Sequence, residues 1–432
     1  MEGREVVITG LGLVSPLGKT VSENTENVKA LKTGIGHYPA GDKPLFLQYM
    51  GKVEDLHLPS EIPQKLMGQM KFLNRGSLLG LAAAHEAITQ AGFIGSGASD
   101  LPARRRALYV ASGDFTKVGY DFLYPAIADA TDGHKKTVDF ERLNNAALGK
   151  VNPFFLLESL SNNLFSFLSA YLEFMGPNTS IASLSPCGGY AMELACRSIR
   201  QNRADIAVAV GCGSWITDVP LYEIEELGIT SRFREGVASF RPFDRKRDGF
   251  ITGEGGAALV IESAGSAKKR GAAILARIKG TANCVEFVPG AGFAVPPMVS
   301  RRSIEAAIRD ADYSVNDLAF ITPHGSGTKK GDASELLSIS AVLKEAGANL
   351  PVSGMKAYTG HLGAASDIAE VILCLETVRE GLVPATLNFR EADRAFSDLQ
   401  ISGSHQTTEK RGFLSTSYGV GGQSSTVVVE AA

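Results

Sequence analysis

The chain has 432 residues, with 43 Lys and Arg against 46 Asp and Glu, a net charge of −3. This length supports a large buried core, as two to three units of ~150 residues or one large α/β body. Hydrophobic residues at 44 % and charged residues at 21 % exclude a disordered chain, and the near-neutral balance gives no general surface for nucleic acid.

The first element is a strand over Glu5–Thr9, opening Val6-Val7-Ile8-Thr9-Gly10. It lacks the apolar length and cleavage pattern of a signal peptide, and no run approaches ~18 apolar residues. A helix follows over Phe72–Ala91, then strands at Arg106–Ser112 and Thr179–Ser183 and a helix over Gly189–Asn202. Strands at Ile206–Gly211, Ala257–Glu262 and Ile274–Gly280 come next, then a helix over Val299–Ala311. The last part reads strand Ala319–Thr322, helix Asp332–Ala346, strand Pro351–Ser353, helix Ala364–Glu380, and strands Gly412–Thr416 and Ser425–Glu430. Alternating strands and helices argue for an α/β fold. Each part closes with a Gly-Gly pair feeding a β-branched strand, at Gly255-Gly256 and at Gly421-Gly422. This predicts an internal duplication, 1–260 and 261–432.

The five cysteines are Cys187, Cys196, Cys212, Cys284 and Cys374. The odd count and the absence of metal-ligand spacing argue against a disulfide framework and for a reducing, cytoplasmic setting. Cys187 falls between a strand and a helix, followed by Gly188 and Gly189, which let the backbone turn tightly and a ligand approach. A helix N-terminus there would lower the thiol pKa. Cys196 lies inside the helix and reads as core. His324 follows an apolar strand in Pro323-His324-Gly325-Ser326-Gly327-Thr328, and His361 precedes a helix in Thr359-Gly360-His361-Leu362-Gly363. Strand-end Gly-rich loops are where α/β proteins place ligands. A thiol with one histidine suffices for acyl transfer, and a second histidine can donate to an enolate or oxyanion. The loop Tyr418-Gly419-Val420-Gly421-Gly422 lacks the Lys-Ser/Thr of a phosphate loop, and its use is a backbone N–H aimed at a carbonyl oxygen. Gly211-Cys212-Gly213 begins like a dinucleotide motif but lacks the third glycine. No cluster fits a metal.

With these residues in hand, the chain resembles the β-ketoacyl-[acyl carrier protein] synthases of the thiolase-like superfamily along essentially its whole length. The blocks are Val6 to Gly18, Gly176 to Cys187, Arg241-Pro242-Phe243-Asp244 to Gly255, His324 to Glu335, and Lys356 to Ala365. The resemblance implies two similar βαβαβαββ halves in an α/β/α/β/α stack, the second half carrying both histidines. It implies that Cys187 takes an acyl chain from an acyl carrier protein, and that His324 and His361 assist decarboxylation of malonyl-carrier protein and hold the enolate. Lys356 and Glu335 match a pair supporting the histidine site. Ser326 and Thr328 fall where hydroxyls bind the phosphopantetheine arm, alongside Val420 and Gly421. The N–H groups of Cys187 and Val420 would form the oxyanion hole. No metal or redox cofactor is implied, and the partners would be acyl carrier protein and either a second copy or a chain-length-factor-like subunit.

Three departures stand out. Ser185-Pro186 precedes the nucleophile where fatty-acid enzymes have Thr-Ala, the first histidine loop reads Gly-Ser-Gly-Thr rather than Gly-Thr-Ser-Thr, and Val420 replaces a gating Phe. These favour a specialised polyketide or polyene ketosynthase over fatty-acid elongation. The rival readings are a non-catalytic chain-length factor, opposed by Cys187, His324 and His361, and a degradative thiolase, opposed by the lack of a cysteine in the 417–422 loop. A Cys-His hydrolase lacks an assignable Asn or Asp partner. Lys65, Lys71 and Arg75 read either as a basic patch for an acidic carrier protein or as a solvated helix face.

Overall fold

The computed structural model describes residues 4–93, 101–113, 120–131, 137–151, 153–158, 160, 162–183, 185–288 and 295–432. Its main strands are β1 (Val6–Val14), β2 (Arg106–Ser112), β3 (Asn178–Ala182), β4 (Ile206–Ser214), β5 (Glu254–Ser263), β6 (Ala276–Val285), β7 (Leu318–Thr322), β8 (Pro351–Val352), β9 (Gln400–Ile401), β10 (Gly412–Tyr418) and β11 (Gln423–Ala431). The helices that position the site are α1 (Arg75–Gln90), α2 (Cys187–Arg200), α3 (Arg301–Ala311), α4 (Lys329–Ala346), α5 (Lys356–Thr359) and α6 (Ser366–Arg379).

The strand order repeats along the chain. The first five strands lie β1-β5-β4-β2-β3 and the second set lies β6-β11-β10-β7-β8, with β9 added outside β8. The senses agree as well. The first pairing in each set is antiparallel (β1 with β5, β6 with β11), as is the second (β5 with β4, β11 with β10). The other two are parallel in both. The two sets are not separate sheets, because Val7 and Ile8 pair with Arg277 and Ala276 and join all eleven strands into one. The first set ends with β5 at Ser263 and the second begins with β6 at Ala276.

The layers follow from strands buried on both faces. Along β2, Ala107, Tyr109 and Ala111 face a middle layer while Leu108 and Val110 face an outer one. The middle layer holds α2 and α6, with Ala191, Ala195 and Ile199 from one and Ile368, Ile372 and Leu375 from the other in a single core. α1 covers the first half on its outside, and α3 and α4 cover the second. The sheet contacts demand small residues. A Cβ on Gly10 or Gly12 would lie 2.1 Å or 1.9 Å from a carbonyl oxygen of α1, so β1 can meet that helix only as bare backbone.

Helix starts move from their expected positions where side chains cap them. Asn74 accepts from Ser77 N–H, so α1 begins at Arg75, and Thr328 accepts from Gly331 N–H, so α4 begins at Lys329 rather than Asp332. α2 begins at Cys187 itself. Gly12→Ala should destabilise the protein by ~1–3 kcal/mol, the usual cost of overpacking. Urea unfolding of the variant measures this, and an unchanged midpoint would mean that α1 can move off the sheet at no cost.

Candidate active site

The loops that carry His324, His361 and Val420 follow β7, β8 and β10, three strands that run the same way. His324 follows β7, with Gly325 and Gly327 at φ +58° and +72°, left-handed conformations that suit glycine. His361 follows α5, and Gly363 N–H donates to its Nδ1 at 3.1 Å. The two imidazoles meet Nε2 to Nε2 at 3.3 Å. Trp215 stacks on His361 with ring centroids 4.9 Å apart, and Tyr418 meets His324 edge-on at 4.7 Å.

Both histidines line a cavity of about 110 Å³ together with Ser326, Thr328, Trp215, Phe250, Tyr418, Gly419 and Val420. Ser326 and Thr328 are already engaged there. Their hydroxyls lie 2.8 Å apart, Ser326 also donates to Asp332 Oδ1 at 3.2 Å, and Thr328 caps α4. Val420 is 47 % exposed. Gly421, at φ +102°, is outside the described lining.

Cys187 is the first residue of α2 and is fully buried, its Sγ donating to Ser183 O at 2.9 Å. Gly188 and Gly189 serve packing, not a turn. A Cβ on them would lie 2.6 Å from Ala364 O and 2.3 Å from Ser425 Oγ. The helix start is thereby pressed against the loop before α6 and against β11.

Behind the histidines, Glu335 accepts from the backbone N–H groups of His324 and Gly325, both at 2.8 Å. Lys356 Nζ donates to His324 O at 2.7 Å and to Glu370 Oε1 at 2.6 Å. Lys356 therefore pairs with Glu370 rather than Glu335. What Lys356 and Glu335 share is the backbone of His324, gripped from its carbonyl and its N–H sides.

A β-ketoacyl synthase N-terminal domain model matches residues 3–267 and the C-terminal domain model matches 276–390. The chain belongs to the β-ketoacyl synthase family. It is an enzyme, an acyltransferase. Among curated relatives, a putative mitochondrial 3-oxoacyl-[acyl-carrier-protein] synthase of Schizosaccharomyces pombe is 28 % identical over 97 % of each chain. Among solved structures, a β-ketoacyl synthase from Burkholderia phymatum STM815 superposes with TM-score 0.84 and 25 % identity, over 99 % of this chain and 100 % of that one. A ketosynthase solved with its type II polyketide acyl-carrier protein and bound to a hexaketide superposes with TM-score 0.81 and 25 % identity over the whole of both chains.

Burial sets the charge states of this synthase site. It pushes His324 and His361 well below the usual histidine range, and nearby Lys356 pushes both the same way, so both imidazoles are neutral near pH 7. Burial pushes the Cys187 thiol well up, with the Asp367 charge adding to the rise, against the pull of the Cys187 and Gly188 N–H groups. The expected lowering of this thiol by the helix N-terminus is thus reversed, because desolvation outweighs the helix end. Burial pushes Glu335 up to about 8 and Glu370 up to about 7, the latter opposed by Lys356.

Four participants are absent from the sequence reading: Glu370, Asp367, Ser417 and Trp215. Asp367 and Glu370 stand among the buried apolar residues Ile368, Ala369, Val371 and Ile372 of α6, a pattern that marks buried, partnered polar groups. Arg75, read with Lys65 and Lys71 as a basic patch, turns inward. Its Nη2 bonds Glu254 Oε1 at 2.9 Å, and Glu254 is buried. Lys71 lies over the rings of Phe72 and Phe154.

Removing one member of the Lys356–Glu370 pair should strand the other. Lys356→Met should cost about 3–5 kcal/mol, and Lys356→Met with Glu370→Leu should recover much of it. Urea unfolding of both single variants and the double closes the cycle, and additive losses would mean that the two do not act as a pair.

Proposed function

We propose that this chain condenses an acyl group held on Cys187 with malonyl-acyl carrier protein, releasing carbon dioxide and giving a β-ketoacyl-acyl carrier protein, in polyketide assembly. The observation that carries the reading is the neutral histidine pair on one cavity, next to the start of the helix that carries the thiol. In the first half-reaction the Cys187 sulfur attacks the thioester of the acyl carrier protein. The acyl group moves to Sγ and the carrier thiol leaves with the proton. Loss of carbon dioxide from the malonyl unit then leaves its electron pair as an enolate. Negative charge develops on the thioester oxygen, where a neutral imidazole N–H of the His324–His361 pair stabilises it. The enolate carbon attacks the Cys187 thioester, a carbon–carbon bond forms, and the thiolate departs. The N–H groups of Cys187 and Val420 serve as the oxyanion hole. Glu335 and Lys356 hold the His324 backbone, and Ser326, Thr328 and Gly421 border the phosphopantetheine arm.

Polyketide assembly is favoured over fatty-acid elongation by the small, partly exposed Val420 on the cavity wall. The whole-length likeness to a ketosynthase bound to a hexaketide supports the same choice. Intact mass spectrometry after incubation with short and long acyl-carrier proteins tests both points. Cys187→Ala should take up no acyl mass. Val420→Phe should slow loading of the long chain, through an overpacking cost of ~1–3 kcal/mol, and change the short one least. Acylation of Cys187→Ala would remove the nucleophile assignment, and equal effects on both chains would remove Val420 from the acyl path.

The partner surface proposed is the outer side of β3, for a second copy or a chain-length-factor-like subunit. β8, the equivalent strand of the second half, has β9 along its edge, whereas β3 ends the sheet with Asn178, Thr179 and Ala182 exposed. An open edge strand is a ready template for pairing. Sedimentation of the purified chain should give a dimer, whereas a monomer that dimerises only with an added second subunit would select the heterodimer. No helix among the described residues is long and apolar enough to cross a membrane. A cytoplasmic setting is proposed on the five free thiols.

A further inference from the structure

One buried carboxylate in this site has no part in the chemistry above. Asp367 is the second residue of α6 and is 2 % exposed. Its Oδ2 accepts from Gly189 N–H, in the first turn of the nucleophile helix, at 3.1 Å. Its Oδ1 accepts from Ser417 Oγ at 2.5 Å, and Ser417 Oγ lies 3.4 Å from His324 Nδ1.

Donor and acceptor chemistry gives this chain of contacts one direction. Gly363 N–H donates to His361 Nδ1, so the proton of neutral His361 is on Nε2. His361 Nε2–H then faces His324 Nε2, which must be the acceptor, and the His324 proton is on Nδ1. His324 Nδ1–H donates to Ser417 Oγ, leaving the Ser417 hydroxyl proton for Asp367. At the far end the Asp367 carboxyl accepts from Gly189 N–H and lies between the N-termini of α2 and α6, where an anion is favoured; burial pushes it up, and the bonds from Ser417 and Gly189 pull it back.

We propose that Asp367 is a positioning residue which, through Ser417, holds His324 as the Nδ1–H tautomer with its Nε2 lone pair facing His361, and so ties the histidine pair to the start of the nucleophile helix. The reading rests on the ketosynthase function above. It divides the labour of the two imidazoles, with His361 Nε2–H as the donor and His324 Nε2 as the acceptor. The titratable groups around the carboxylate are Cys187 and Tyr190 of α2, His324 beyond Ser417, Lys356 of α5, and Glu370 on its own helix. Lys356 is the cation among them, and its ammonium is bonded to Glu370. The negative charge therefore stands close to Cys187 and opposes formation of the thiolate.

Asp367→Asn keeps the shape but must donate from one end. With its oxygen on Gly189 N–H, its amide faces Ser417. Ser417 then accepts from Asn and turns its own proton toward His324 Nδ1, which flips that imidazole to Nε2–H. Ser417→Ala cuts the connection and leaves the carboxylate in place.

Nitrogen-15 histidine NMR of the purified full chain reads the tautomer, and iodoacetamide reads the Cys187 thiolate as a function of pH. The wild type should show His324 as Nδ1–H. Asp367→Asn should show Nε2–H and alkylate roughly tenfold faster at pH 8, the effect of one pKa unit on the thiolate fraction. Ser417→Ala should show a mixture of the two tautomers, since only the Gly363–His361 end still favours Nδ1–H, and alkylate within about twofold of wild type, since charge near a thiol sets its pKa. A merely structural Asp367 would slow alkylation at every pH and leave the tautomer alone. That result, or an Nε2–H wild-type His324, overturns the proposal. If Asp367→Asn does not fold, the wild-type and Ser417→Ala tautomers decide it. Neither readout uses a carrier protein. Expected tautomers in a protein that fails to decarboxylate malonyl-carrier protein would remove the functional reading and leave this one standing.

Discussion

The site depends on a helix layer enclosed by sheet on both sides. α2 and α6 have β-strands above and below them, so most of the residues they carry are buried, and each buried polar group among them must find a partner inside the protein. The strand repeat makes these two helices equivalent, each preceding the antiparallel pair of its own half. Their N-termini come together, close enough for Gly189 N–H to reach Asp367. One half therefore delivers the thiol to the place where the other delivers imidazoles, a cation and carboxylates. The glycines at the start of α2 are a consequence, since Ala364 O and Ser425 Oγ occupy the space a side chain would need.

The same enclosure decides the electrostatics. Away from water, the charged form of every titratable group is disfavoured, so acids rise and bases fall. His324, His361, Cys187, Glu335 and Glu370 all move in that sense, with burial the first cause in each case. For the imidazoles this is an advantage, because a neutral N–H can meet a developing oxyanion without first losing a charge. For the thiol it is a cost. Loading of Cys187 must then be coupled to departure of its proton, since little thiolate stands ready near pH 7.

The strands were legible because residues buried on both faces read as short apolar or β-branched runs, and β2 matches its expected span of Arg106–Ser112. The helix starts were less so, because a cap such as Thr328 adds a turn before the apolar pattern begins. Cys187, His324 and His361 could be singled out because each stands beside glycines in the local sequence. Asp367 and Ser417 could not. Their partners lie 178 and 50 residues away in the chain, and no local pattern records such pairings. The direction of the Cys187 shift failed for the same reason. A helix N-terminus is visible in sequence, whereas the depth of cover over a thiol depends on strands and loops drawn from both halves.

The two sets of strands share an order but differ at the site. A strict repeat would place the same groups at both helix starts and leave both sheet edges open. Here α2 begins Cys187-Gly188-Gly189 and α6 begins Ser366-Asp367, so one start offers a nucleophile and bare N–H groups and the other offers the carboxylate that accepts one of them. β8 gains β9 on its outer edge while β3 remains open. Had both starts carried an acid, two anions would share one dry space beside the thiol. Had neither, the N–H of Gly189 and the hydroxyl of Ser417 would lack their acceptor. A single carboxylate set between two helix N-termini avoids both penalties, and it ties the thiol-bearing half to the histidine-bearing half through side chains as well as through the strands that join them.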